Sequence, residues 1–216
     1  MKPNLKRALL EHLAQQLAAE GFSPHGGHFV RQHAQTTDRF TVLCKDAKPG
    51  YWVEPHVSLR VEQVERIFHQ TSGFEPQHQD TATLGGSVGD ILGGNTSDAR
   101  FLLESSGQLD TVVARLMELF QTVALPYYQR WSSLYAIDAA LNDHPAVRSP
   151  HRGGPPLWRC STGLIVAKLV QRQEYGALAQ YYADVMRRVS NGFYYARYQA
   201  LIASLESVEP NDRRTP

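Results

Sequence analysis

Long apolar runs are missing from this chain of 216 residues. No window approaches the roughly 18 consecutive apolar residues that a membrane-spanning helix needs, which excludes a helical membrane protein from the expectations. Cysteine is scarce as well. Cys44 and Cys160 are the only two, too few for a disulfide-stapled scaffold, so free thiols in a reducing compartment are expected. Charge of one sign is also lacking: 22 Lys and Arg stand against 21 Asp and Glu, for a formal charge of +1. Such a balance supplies no long-range field for phosphate backbones or anionic lipid, and it disfavours nucleic acid as a partner. The first 22 residues begin with basic side chains, but Glu11, His12, Gln15 and Gln16 interrupt any apolar run. They are therefore not read as a signal peptide, and a cytoplasmic location is expected.

Signature motifs of common chemistries are absent too. No Gly-x-Ser-x-Gly occurs, and Ser58, Ser87 and Ser161 have no base placed by motif. The Gly-rich run Gly85 to Gly94 lacks the Lys-Ser/Thr ending of a phosphate loop and the three-glycine dinucleotide spacing, and Asp90 within it would repel phosphate. His25, His28 and His33 cluster, but without helical His-Glu-x-x-His spacing, and His28 and His33 fall on opposite faces of a regular strand. No metal and no cofactor is expected.

What is present is a periodic pattern. Leu5, Leu9, Leu10, Leu13 and Leu17 recur at helical spacing and Gly21 follows as a stop, which predicts a helix over 3–20. Residues 28–34, 39–46 and 51–60 have strand character, separated by turn-forming residues at 35–38 and 47–50, so an antiparallel meander is expected. Phe40, Val42 and Cys44 share one face of the second strand, which predicts a buried, unreactive Cys44. A short helix follows over 61–70. The Gly-, Ser- and Thr-rich stretch 71–97 is expected to be loop with at most one strand near 81–84, and 99–104 is expected to be a strand. Apolar stripes then predict a helix over 109–123 and a second over 126–141 with Trp131, Leu134 and Tyr135 inward. Four prolines and two glycines mark 142–156 as a linker. Three helices are expected over 157–171, 175–189 and 193–205, and a disordered tail over 210–216. The fold class is α+β: an antiparallel sheet of four to five strands with an N-terminal helix, followed by a C-terminal helical region. The expected division is an α+β domain over 1–141, the linker, and a helical region over 157–209.

Residues 51–60 carry the main functional expectation. With period two they split into an apolar row, Tyr51, Val53, Pro55, Val57 and Leu59, and a largely polar row, Trp52, Glu54, His56, Ser58 and Arg60. The polar row is a candidate contact surface. His56 with Glu54 two positions away is a candidate acid–base pair, although about 6.5 to 7 Å of backbone separates such residues. Pro55 predicts an edge strand or a bulge, because proline has no donor for a central ladder. A second candidate surface is the run of aromatic and basic residues in the last two helices, among them Arg187, Tyr194 and Arg197, a composition typical of protein interfaces.

The order of features resembles that of bacterial families of small uncharacterised cytoplasmic proteins. Those features are Glu20-Gly21-Phe22 ending the first helix, Gly27 to Arg31 and Val53 to Arg60 in strands, and Thr83-Leu84-Gly85 before a helical end. Some members sit beside polymorphic or contact-dependent toxins and act as their immunity proteins. The likeness covers mainly residues 5–140 and brings no catalytic residues with it. It implies non-enzymatic binding of a protein partner, a toxin neutralised by direct contact. The alternative is an enzyme or small-ligand-binding protein using His56, Glu54 and Arg60, and an RNA-associated module is a third reading.

Overall fold

Leu5, Leu9, Leu13 and Leu17 fall on one side of helix α1 (Leu5–Ala18), and all are buried. Four-residue spacing brings them into a single stripe. The computed structural model describes residues 5–94, 99–147, 149–151 and 156–209. The architecture is α+β, a six-stranded antiparallel sheet with an N-terminal helix and C-terminal helices. Its strands are β1 (Ser23–His25), β2 (His28–Gln32), β3 (Thr36–Asp46), β4 (Tyr51–Val61), β5 (Leu84–Ser87) and β6 (Phe101–Leu103). The first five lie in sequence order, and β6 pairs with β4. Sequence periodicity gave no sign of β1, because all three of its residues are exposed and it has no apolar face to reveal.

The chain divides into two compact units, one comprising Met1–Arg60 and Gly85–Arg130, the other Val61–Leu84 and Trp131–Pro216. This differs from the expected division at 142–156. The second unit owes its make-up to helix α2 (Glu62–Ser72), which packs with α7 (Pro156–Leu169) and α9 (Tyr195–Leu205), far away in sequence. Asn142, expected to open the linker, is instead buried at the end of α6 (Leu134–Asn142) and bonds to the Gly163 carbonyl on α7. Residues 148 and 152–155 of the expected linker, and the expected disordered tail 210–216, lie outside the described residues.

In the first unit, Phe120 joins the sheet to the helices, packing edge-on against Phe22 and Phe40 with ring centroids 5.2 Å away in each case. Phe120 opens a π-helical turn, Phe120–Ala124, between α4 (Leu109–Leu119), which follows the short α3 (Val88–Ile91) in the chain, and α5 (Leu125–Arg130). The wide turn has a local cause. Pro126 cannot donate to a carbonyl four residues back, and a π turn absorbs the interruption without ending the helix. The expected single helix over 126–141 is thus two helices, broken at Trp131–Ser133. The break resets the helical phase: Trp131 is buried, but Tyr135 points outward with 55% of its surface exposed, correcting the inward placement.

In the second unit, α7, α8 (Tyr175–Arg188) and α9 follow the three expected helices closely. Leu164, Ile165, Tyr182 and Tyr198 form part of its interior.

Candidate functional site

From Trp52 onward strand β4 alternates strictly, with Val53, Pro55, Val57, Leu59 and Val61 buried and Trp52, Glu54, His56, Ser58 and Arg60 each half-buried; Tyr51, expected in the apolar row, is half-buried as well. Burying each Val or Leu contributes about 1.5 to 3 kcal/mol, so a one-residue slip of register would be costly and the polar row is fixed in place. Pro55 does not lie on an edge strand. β4 is central, with β3 on one flank and both β5 and β6 on the other. β6 pairs with Tyr51 to Val53, while β5 approaches farther along, Gly85 lying against Val57 and Ser58. Pro55 falls between these two partners, where a missing donor is tolerated.

The row is organised by its neighbours. Lys45 on β3 donates to Glu54 Oε2 at 2.7 Å, and His56 Nε2 lies 3.1 Å from Glu54 Oε1. Desolvation works to raise the Glu54 carboxyl. The Lys45 hydrogen bond and the nearby His56 overcome it, and the net shift is below the ordinary carboxylate value. Arg100 stacks over the Trp52 ring, its guanidinium carbon 4.6 Å from the centroid. Beside Ser58 the neighbouring strand contributes no side chain, since a Cβ at Gly85 would come within 2.6 Å of the Ser58 Cβ. Leu43 is exposed on the same face as Lys45, two residues along β3. The result is a rigid mixed surface of aromatic, cationic, anionic and imidazole groups.

Arg187, Tyr194 and Arg197 belong to the second unit. Arg197 is part of its frame, donating to the Ser72 carbonyl at 3.0 Å. Arg187 is held by Asp184 at 2.6 Å and by the Tyr195 hydroxyl at 2.7 Å. Tyr194 is half-buried, stacked edge-on by the exposed Phe193 at 5.0 Å. Cys44 is half-buried rather than fully enclosed, since the buried pattern of β3 fades toward its end. Cys160 is buried, and burial pushes its thiol up to about 12.

Two buried polar networks had no counterpart in the sequence expectations. In the first unit Asp38 receives Arg31 through Nε and Nη2 at 3.0 and 2.9 Å, with His33 Nε2 at 2.9 Å. Arg31 also lies over the Phe22 ring at 4.8 Å. In the second unit Glu65, which is 0% exposed, accepts from Thr81 Oγ1 at 2.5 Å and Thr83 Oγ1 at 2.8 Å. His69 Nε2 lies 2.7 Å from Thr81 Oγ1, and Nδ1 3.0 Å from Ser72 Oγ. The series Ser72, His69, Thr81, Glu65 has the order of a nucleophile relay. Ser72 is only 2% exposed, however, and its Oγ accepts from the Phe74 amide at 3.2 Å, so the series acts as an internal brace. The detectable signal was Glu65 and His69 four residues apart on one side of a helix that buries both side chains, with Thr-x-Thr downstream.

Among the described residues no group of three or more His, Cys, Asp or Glu is placed to hold a metal ion, and no helix is long and apolar enough to cross a membrane. No protein-family model matches the chain, and neither curated proteins nor solved structures give a match.

Proposed function

We propose that the protein is a non-enzymatic binding protein and that the polar row of β4 is its contact surface. The observation that carries this reading is the fixed, half-buried row Trp52, Glu54, His56, Ser58 and Arg60, with Trp52 stacked by Arg100 and Glu54 held by Lys45. Aromatic and arginine side chains on a rigid sheet bind at low entropic cost and are the residue types that dominate interface energetics. The partner proposed is a protein, and a bacterial toxin neutralised by direct contact is the specific form implied by the resemblance in residue layout. The helical aromatic surface at Phe193 and Tyr194 is a separate candidate within the second unit.

The test is affinity purification followed by titration of the recovered partner. A single partner at fixed stoichiometry is expected, with Trp52→Ala weakening it about 30-fold, the equivalent of roughly 2 kcal/mol for an interface anchor, while the unfolding midpoint stays in place. Unchanged affinity in both Trp52→Ala and His56→Ala would remove the row from the contact. The 3.1 Å approach of His56 to Glu54 favours one second reading, an acid–base site. That reading requires turnover that is lost in His56→Ala without loss of folding.

A further inference from the structure

The flank of α1 beside its buried leucines forms a groove with the β1–β2 hairpin, and none of the β4 row residues lines it. We propose that this groove binds a small amphiphilic carboxylate, an apolar chain ending in one carboxyl group. Lys6, Leu10 and Ala14 repeat at four-residue spacing one position beyond the core stripe and make one wall. Pro24 to Phe29 make the other. The groove is open to solvent and offers about 500 Å³, within the range of small-molecule sites.

Small residues at three places keep the groove open. Ala14 supplies only a methyl, and the hairpin turns on Gly26 and Gly27 at φ +54° and +93°, a conformation that glycine adopts without strain. A Cβ at either glycine would meet nothing within 4 Å, so the space beside the turn is open. Leu10, Pro24 and Phe29 give the interior its apolar character.

Charge selects the ligand. Arg7 and Glu11 both line the groove and neutralise one another through a 2.7 Å ion pair, while Lys6 has no such partner among the described residues. His25 and His28, opposite each other in the strand register, add positive charge when protonated. An apolar trough with one uncompensated ammonium complements an apolar molecule with one negative end. A single cation is too little for a nucleic acid backbone, and a cationic amphiphile would meet Lys6 with like charge.

Decanoate, decanol and decylamine titrated into the full chain, followed by amide NMR shifts, test the assignment. Decanoate should give saturable shifts at Leu10, Gly26 and Gly27 below its micelle concentration, and should bind more tightly than decanol, with decylamine weakest. Lys6→Glu should weaken decanoate about five- to tenfold, in line with loss and reversal of a surface charge contact, and leave decanol unchanged. Ala14→Trp should remove binding of both, and Ala14→Leu, a smaller change checked by its unfolding midpoint, should reduce it. The assignment is overturned by absence of saturable shifts at these amides, by decylamine binding as tightly as decanoate, or by decanoate affinity that neither Lys6→Glu nor the Ala14 variants alter. Because the groove and the β4 row share no residue, these outcomes are independent of the row's role as a contact surface.

Discussion

Replacing Glu65 by Gln should destabilise the second unit out of proportion to the single atom exchanged. Thr83 Oγ1 accepts from the Val61 amide at 2.9 Å and donates to Glu65 Oε1, and Thr81 Oγ1 donates to Glu65 Oε2. Each hydroxyl has one proton and spends it on the carboxylate, so Thr81 can only accept from His69, whose Nε2 must carry hydrogen. A glutamine amide in that place presents NH2 to a hydroxyl that needs an acceptor. With His69 keeping its hydrogen on Nε2, one hydroxyl proton is then left without its partner in a fully buried site, at a cost of about 1 to 3 kcal/mol. Glu65→Ala removes both charge-assisted bonds, each worth about 1.5 to 3 kcal/mol, and should cost about 3 to 5 kcal/mol once relaxation is allowed for. For a chain of this size that corresponds to a fall of roughly 6 to 20 °C in Tm. Thermal and urea unfolding of both variants supply the stability measurement, and imidazole nitrogen NMR reads the His69 tautomer. A loss below about 0.5 kcal/mol in Glu65→Gln, typical of surface changes, or hydrogen on Nδ1 alone at neutral pH, would refute the proton assignment.

Gly163→Ala would place a Cβ 2.7 Å from Asn142 Oδ1 and 2.9 Å from the Tyr182 hydroxyl, groups that bond to each other at 2.8 Å; a loss of about 1 to 3 kcal/mol in urea unfolding is expected. Glu54 titrates below its ordinary value in the folded chain, so its stabilisation is present above the ordinary carboxylate range and is lost as pH falls through the folded value. Wild type and Glu54→Gln should accordingly differ in stability at neutral pH, by at most about 1 kcal/mol for such a partly exposed pair, and converge in acid. Iodoacetamide followed by mass spectrometry should label Cys44 before Cys160, since Cys160 is enclosed and its thiol is pushed up to about 12; prior labelling of Cys160 in the folded state would contradict its burial.

The main strand and most of the helices were legible because their apolar residues are periodic. Val53, Val57 and Leu59 announce β4 and its buried face, and the four-residue leucine spacing announces α1. Where an element has no buried face, as in β1, periodicity has nothing to report. Tyr135 was misplaced because one unbroken helix was extrapolated across Trp131–Ser133, and a break of a few residues rotates every later side chain. The strand expected near 81–84 is found at Leu84–Ser87, and Thr81 and Thr83 just before it bond through their hydroxyls to Glu65. Division into units depends on contacts between residues 61–84 and the C-terminal helices, a long-range pairing that local pattern does not encode. The polar row itself was readable from alternation. Its fixed state was not, because the Lys45 and Arg100 that hold it come from other segments of the chain.

The contact role of the β4 row is tested most directly by photo-crosslinking in living cells from Leu43, which is exposed on the row's face, with Gln15 on the exposed side of α1 as control. With p-benzoylphenylalanine at Leu43, one defined protein adduct is expected, lost when Trp52→Ala is added and absent from the Gln15 position. Identical adducts from both positions, or an adduct at Leu43 that persists unchanged in Trp52→Ala and His56→Ala, would contradict the account.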